Sequence, residues 1–222
     1  MSATARRRPS QLSALVVVAA LGLAGCIGAM QTQAHDPVGA GGLRPTVEDK
    51  DVGLVGVRQG FDLKAYSVIA VDKLPVPPEQ VKDAEDRKAA ASMPEYFQSE
   101  LVRRLREARL FARVVNLGET SFTPGPGKAL RLEGRISQLD PGSRVLRYWV
   151  GFGAGRSKTQ AELSFVDVQS GEVVMVVADR RVAAYGIFGG DSEEHLQESF
   201  ADMARDLVRF LTRLVLGQAP AK

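Results

Sequence analysis

The chain reads as an α+β domain in which one mainly antiparallel sheet of about five strands packs against two helices, in the order β-α-β-β-β-β-α. Three observations lead there. Apolar and polar residues alternate cleanly over 130–136 and again over 159–168, the mark of strands buried on one face. Two apolar stripes at helical spacing, one on Phe97, Leu101 and Leu105 and one beginning at Leu196, flank that strand-rich middle. A β-branched run, 66–74, precedes the first of these helices, so one strand is separated from the others by a helix.

The segment before the domain sets its location. Arg6, Arg7 and Arg8 open a basic stretch, and 11–23 is an apolar run too short to cross a bilayer. It ends on Leu23-Ala24-Gly25-Cys26, which resembles the bacterial lipoprotein signal. The resemblance implies cleavage before Cys26, a diacylglyceryl group on its thiol and an N-acyl chain on its amine, and no other cofactor. Residues 1–25 are thus expected as a signal peptide, 26–60 (rich in Gly, Pro, Gln and Thr) as a lipid-anchored flexible tether, and 61–222 as one domain. No later run has the length of a membrane-crossing helix, which leaves the acyl chains as the anchor.

Charge excludes one class of partner. Residues 1–25 hold three of the 29 Lys and Arg and none of the 26 Asp and Glu, so the chain beyond them carries 26 of each. A nucleic-acid binder needs a surplus of cations to neutralise phosphates, and none remains. Cys26 is the only cysteine, so neither a disulfide within the chain nor a cysteine-built metal site is available.

Along the domain, 66–74 is the first strand, ended by Pro75, Pro77 and Pro78. The stretch 79–91 is charged, Ala-rich and helix-prone. A clearer helix is expected from Ser92, which has capping-box spacing to Glu95, with Pro94 in its first turn. Arg103, Arg104 and Arg106 on this helix read as a solvated face. A second strand covers 111–117 and a loop covers 121–127. From Leu130, the residues Leu130, Leu132, Gly134 and Ile136 share one strand face, and Asp140-Pro141-Gly142 makes the turn. In the next strand Ala161, Leu163 and Phe165 point inward. The turn Gln169-Ser170-Gly171-Glu172 then leads into 173–178, completing a hairpin whose second arm reaches 182. The last helix pairs Asp191 with Glu194 as its cap and carries Leu196, Phe200, Met203, Leu207, Phe210, Leu211 and Leu214 as its stripe. Gly217 closes it.

Catalytic constellations are missing from the pattern. Beyond the signal there are two histidines, His35 in the tether and His195 in a helix start, and Asp72, Asp140, Asp167 and Asp191 fall at turns and caps. No metal set is expected, and the protein is read as a non-enzyme. The glycines of 151–155 match neither the dinucleotide nor the Walker spacing, and no helix follows them to receive an anion.

The stretch that stands out is 142–157, GSRVLRYWVGFGAGRS. It holds the only tryptophan and three glycines at alternate positions. Hairpin geometry brings its end beside 183–190, AAYGIFGG. Glycine permits close approach and exposed aromatics make contact anchors, so Arg147, Tyr148, Trp149, Gly151, Phe152, Gly153, Gly155, Tyr185 and Phe188 form a candidate partner-binding patch. The competing reading folds these aromatics over the core, and Leu146, Tyr148, Val150, Phe152 and Ala154 also share one strand face.

At Gly142-Ser143-Arg144, Arg147, 151–155 and Asp167 with Ser170-Gly171-Glu172, the chain resembles the domain-of-unknown-function 4410 family of bacterial lipoproteins, over roughly 66–216. The resemblance implies the fold and an envelope location; the family has no established activity. The expected role is therefore a binding or assembly module for another envelope component. The alternative is an oligomeric secretion-channel or transporter-auxiliary lipoprotein. Ile27 after the cysteine, in place of the aspartate that retains lipoproteins in the inner membrane, points to the periplasmic face of the outer membrane.

Overall fold

A computed structural model describes residues 29–142, 157–182 and 192–221. They build one mixed sheet of eight strands with two long helices on one face. The strands are β1 (Met30–Thr32), β2 (Val47–Asp49), β3 (Gly53–Val57), β4 (Tyr66–Val71), β5 (Arg113–Asn116), β6 (Lys128–Asp140), β7 (Lys158–Asp167) and β8 (Val173–Val182). The helices are α1 (Ala84–Ala108) and α2 (Ser192–Val215). Strand order is β2-β3-β8-β7-β6-β4-β5, with β1 also alongside β8.

The α+β class and the two helices match the reading of the sequence, while the sheet is larger and mixed. β6, β7 and β8 form the expected antiparallel meander. β4, however, runs parallel to both β5 and β6, with α1 as the crossover between β4 and β5. The remaining three strands come from the segment expected as a tether. β3 pairs with β8 from Leu54↔Ala178 to Val57↔Met175, and β1 pairs with the rest of that edge from Met30↔Val182 to Thr32↔Arg180. Val52 and Val55 are fully buried. The physical reason is β8 itself: its ten residues present a long edge of N–H and C=O groups that must be paired or covered.

α1 also departs from expectation. It begins at Ala84, capped by Asp83, whose carboxylate accepts the Asp86 N–H at 2.9 Å. The Ser92–Glu95 box is not used; the Ser92 hydroxyl donates to the Lys88 carbonyl one turn back. Pro94 therefore lies inside a continuous helix, at the cost of one backbone hydrogen bond. Its face explains why this is tolerated: Met93, Pro94 and Phe97 are all buried against the core, so tertiary packing overrides the local breaker. At the other end of the fold α2 finishes as expected. Gly217 has φ 70°, and the Gln218 N–H reaches back to the Arg213 carbonyl at 2.8 Å. Asp191, the expected cap of α2, lies outside the described residues.

The core sits between the sheet and the helices. Leu130, Leu132 and Ile136 of β6, Leu163 and Phe165 of β7, and Met175 and Val177 of β8 face Phe97, Leu101 and Leu105 of α1 and Phe200, Met203 and Leu207 of α2. Phe97 and Phe200 join the two helices with ring centroids 4.8 Å apart. Gly134 completes the expected inward face, and its place admits nothing larger. Its φ is 149°, and a Cβ there would lie 2.0 Å from the Glu162 carbonyl oxygen. Gly134→Ala should therefore destabilise the domain by at least about 2 kcal/mol, read as a lowered urea midpoint.

Candidate functional site

The residues singled out as a contact patch, Arg147, Tyr148, Trp149, Gly151, Phe152, Gly153, Gly155, Tyr185 and Phe188, lie outside the described residues, as does Cys26. The points where their segments leave the sheet are described. Asp140 is paired with Lys158, Lys158 with Val182, and Val182 with Met30. These four positions form one row across β6, β7, β8 and β1, about 15 Å long at the usual strand spacing. Segments 143–156 and 183–191 both spring from this row, as the hairpin requires. The base of the first is fastened: the Ser157 hydroxyl donates to the Pro141 carbonyl at 2.8 Å, and Asp140 accepts the Gly142 N–H at 2.9 Å.

The opposite end of the sheet is closed by a tight turn. Asp167 accepts the N–H groups of Gln169 and Ser170 and the hydroxyl of buried Tyr66, the last at 2.7 Å. Burial alone would raise the Asp167 carboxyl, but these donors outweigh it and hold the group below the usual carboxylate range. The same burial and the same carboxylate push the Tyr66 phenol well up.

The sheet face turned away from the helices is not bare. Residues after β1 cross it and are pinned by side chains of β7. Gln160 Oε1 accepts the His35 N–H at 2.7 Å, its Nε2 donates to the His35 carbonyl at 2.9 Å, and Glu162 accepts the Val38 N–H at 3.3 Å. Beside this strap lies a cleft of about 400 Å³ lined by His35, Glu79, Arg135, Gln138, Glu162 and Arg180 among others, whose polar side chains expose apolar stems as well as polar atoms. Arg135 pairs with Glu162 at 3.2 Å, and Arg180 donates to Gln138 at 3.1 Å and to Thr32 at 2.8 Å. The cleft thus offers fixed donors and acceptors beside apolar surface.

Charged side chains are concentrated most heavily where β2, β8 and α2 meet. Arg181, 5 % exposed, bridges Asp179 at 2.7 Å and Asp206 of α2 at 3.1 Å, and donates to the Asp51 carbonyl. Arg213 reaches Asp49 at 2.6 Å and Asp51 at 2.7 Å, and Arg209 spans Asp51 and Asp206. The Ala221 N–H adds a further donor to Asp49 at 2.8 Å. Burial would raise Asp49, but Arg213 and the two backbone donors prevail and hold it below its ordinary range. At Asp179 burial prevails, and the carboxyl is raised in spite of Arg181. Nothing in the alternation of β8 announces this lattice; its only sequence signal is charge, Asp179-Arg180-Arg181, interrupting an apolar strand.

The other sequence candidates are placed simply. His35 is exposed and 3.3 Å from Asp36, and His195 is 3.5 Å from Glu198 of its own helix. The arginines of α1 face solvent in pairs: Arg103 binds Glu100 and Glu107, and Arg104 binds Glu100. Among the described residues no cluster of His, Cys, Asp and Glu could hold a metal ion, and no helix is long and apolar enough to cross a membrane.

The fold and this arrangement define a single-sheet α+β domain whose two sheet ends are built differently. The chain belongs to the family of the domain of unknown function DUF4410, whose model matches residues 57–186, more than half of its length. Among solved structures, it is similar to the PelC dodecamer from Paraburkholderia phytofirmans, with 15 % identity and a TM-score of 0.43 over 69 % of this chain and 95 % of that one. A DUF330 protein from Xanthomonas campestris gives 9 % identity and a TM-score of 0.42 over 80 % and 97 % of the two chains. No curated protein matches the chain.

Two expectations follow. A carboxylate held below its ordinary range stabilises the fold above that range and ceases to as pH falls through its folded value. Asp49→Asn should therefore be less stable than the wild type at pH 7, with the gap closing below about pH 4, as seen in urea midpoints at the two pH values. Gln160→Leu should free the strap without unfolding the core, giving new protease cleavage among residues 33–45 while the melting cooperativity is kept.

Proposed function

We propose that this chain is a non-catalytic, lipid-anchored protein of the cell envelope, facing the periplasm, that serves as a binding or assembly module for another envelope component. The observation that carries this reading is the row Asp140, Lys158, Val182 and Met30. It gathers at one sheet end the attachment points of both Gly/aromatic segments and the strand that follows Cys26. A rigid sheet displaying two such segments side by side offers aromatic anchors and backbone groups to a partner, the arrangement on which contact hot spots are built. The outer membrane is the proposed site, since Ile27 rather than aspartate follows Cys26.

Two measurements test the proposal. Cys26→Ser should move the protein from the outer-membrane fraction to the soluble periplasmic one. A photo-reactive residue in place of Trp149 should yield one dominant adduct with a different envelope protein in cells. A ladder of self-adducts would favour an oligomeric channel instead, and a folded, solvent-shielded probe with no adduct would place Trp149 in the core and defeat the binding patch.

A further inference from the structure

The N-terminal segment is fixed far earlier than a tether would allow. The Ala29 N–H donates to Asp202 of α2 at 3.2 Å, and the next residue, Met30, is already in register with Val182. Gln31 Nε2 donates to the Asp51 carbonyl at 2.8 Å, and Thr32 accepts from Arg180 at 2.8 Å. Every residue from 29 to 32 is thus held by a strand pairing or by a named side chain. Three peptide units separate Ala29 from Cys26, so a fully extended chain places the two Cα atoms at most about 11 Å apart. A flexible Gly-rich linker over 26–60 would instead average about 30 Å and let the domain tumble.

We infer that the lipid surface itself is a partner of the row Asp140, Lys158, Val182 and Met30: the acyl chains on Cys26 hold this sheet end against the headgroups, and the domain stands on the membrane in one orientation. The inference rests on the lipid-anchored reading above. Its content is the length of chain between the anchor and the first docked residue, together with where that residue sits. β1 enters from the row and runs inward, so the anchor is at this end and not at the turn after Asp167. The row carries chemistry that suits a bilayer interface. Met30, 56 % exposed, stands at one end of the row, and Lys158, two strands away across Val182, adds a cation suited to the phosphates of the headgroups. Along β7 the far turn is about 30 Å away, the length of a ten-residue strand.

The consequence for function is geometric. Whatever binds the segments that spring from this row must do so at the membrane surface, in the headgroup layer or immediately above it. The far turn faces the periplasmic space, while the strapped cleft, which reaches Gln138, Gln160 and Arg180 two residues along from the row, lies near the membrane end.

The experiment uses the full lipidated protein in vesicles that carry a headgroup-attached nitroxide quencher. Lipidation consumes the only thiol, so an added cysteine is a unique labelling site. Lys158→Cys and Asp140→Cys report the row, and Ser170→Cys, on the exposed far turn, reports the opposite end. Labelled proteins are first checked for an unchanged melting transition, and two row positions guard against the loss of either. The expected result is quenching several-fold stronger at 158 and 140 than at 170. Twenty Gly/Ser residues inserted between Gly28 and Ala29 should bring the three labels to similar, weak quenching. Equal quenching at both ends of the unmodified protein, or stronger quenching at 170, with the protein still on the vesicles, overturns the orientation and leaves the anchor standing. Protein that does not stay on vesicles, or that behaves as Cys26→Ser does, defeats the anchor and this inference with it.

Discussion

The free edge of β8 is the constraint on which the rest of the architecture depends. A meander of three long strands closes on a ten-residue edge that faces no later strand in the described chain. Left open, such an edge is a template for pairing with other chains. Here it is shared between β3, which covers residues 175–178, and β1, which covers 180–182. One short gap in the edge remains at Asp179, and that is where the buried ion lattice is placed. Edge pairing thus draws residues 29–57 onto the domain, and in doing so it brings Asp49 and Asp51 to α2 and residues 33–45 across the outer face.

The ion lattice then fixes how the helix layer sits on the sheet. Hydrophobic packing is non-directional and specifies the position of α2 less sharply than ion pairs of fixed geometry do. Arg181, standing on the inner face of β8, demands one position, with Asp206 opposite it, and Arg213 demands Asp49 and Asp51 at the hairpin tip. Pairs buried this deeply return little net stability, since desolvation consumes much of the attraction, yet breaking any one leaves an uncompensated charge. Their contribution here is register. α2, β8 and the β2–β3 hairpin can meet in only one way.

What the sequence made legible follows from the strength of each local signal. The alternation in β6 and β7 is unambiguous because each strand turns its apolar residues to one face, and Leu130, Leu132, Ile136, Leu163 and Phe165 all lie where their spacing puts them. α2 is legible for the same reason at helical period. β1, β2 and β3 were not legible: they are three to five residues long, β3 contains two glycines, and they are stable only because β8 needs a neighbour, which no local pattern encodes. α1 shows the converse error. Ser92, Pro94 and Glu95 make a well-formed start signal, and the helix runs through it because Met93, Pro94 and Phe97 bury together. Of the candidate site, the neighbouring bases of the two segments, at Asp140, Lys158 and Val182, were legible from hairpin logic alone. The proximity of residue 29 to that same end was not, since it depends on β1.

The two ends of the sheet divide the labour. At the far end, the connection between β7 and β8 is a five-residue turn whose polar groups are consumed internally: Asp167 is satisfied by Tyr66, Gln169 and Ser170, and nothing is left over for a partner. At the row of Asp140, Lys158, Val182 and Met30, the connections are long and rich in glycine and aromatic residues, and the base of the first is held by Ser157. A domain that only had to be stable would close both ends in the first manner, because glycine-rich connections give up the most conformational entropy on ordering. Keeping them at one end alone is the arrangement the proposed contact would call for. In this chain that is the same end to which the sequence leads from Cys26, so under the proposed function anchoring and recognition would be two demands on a single end of the sheet.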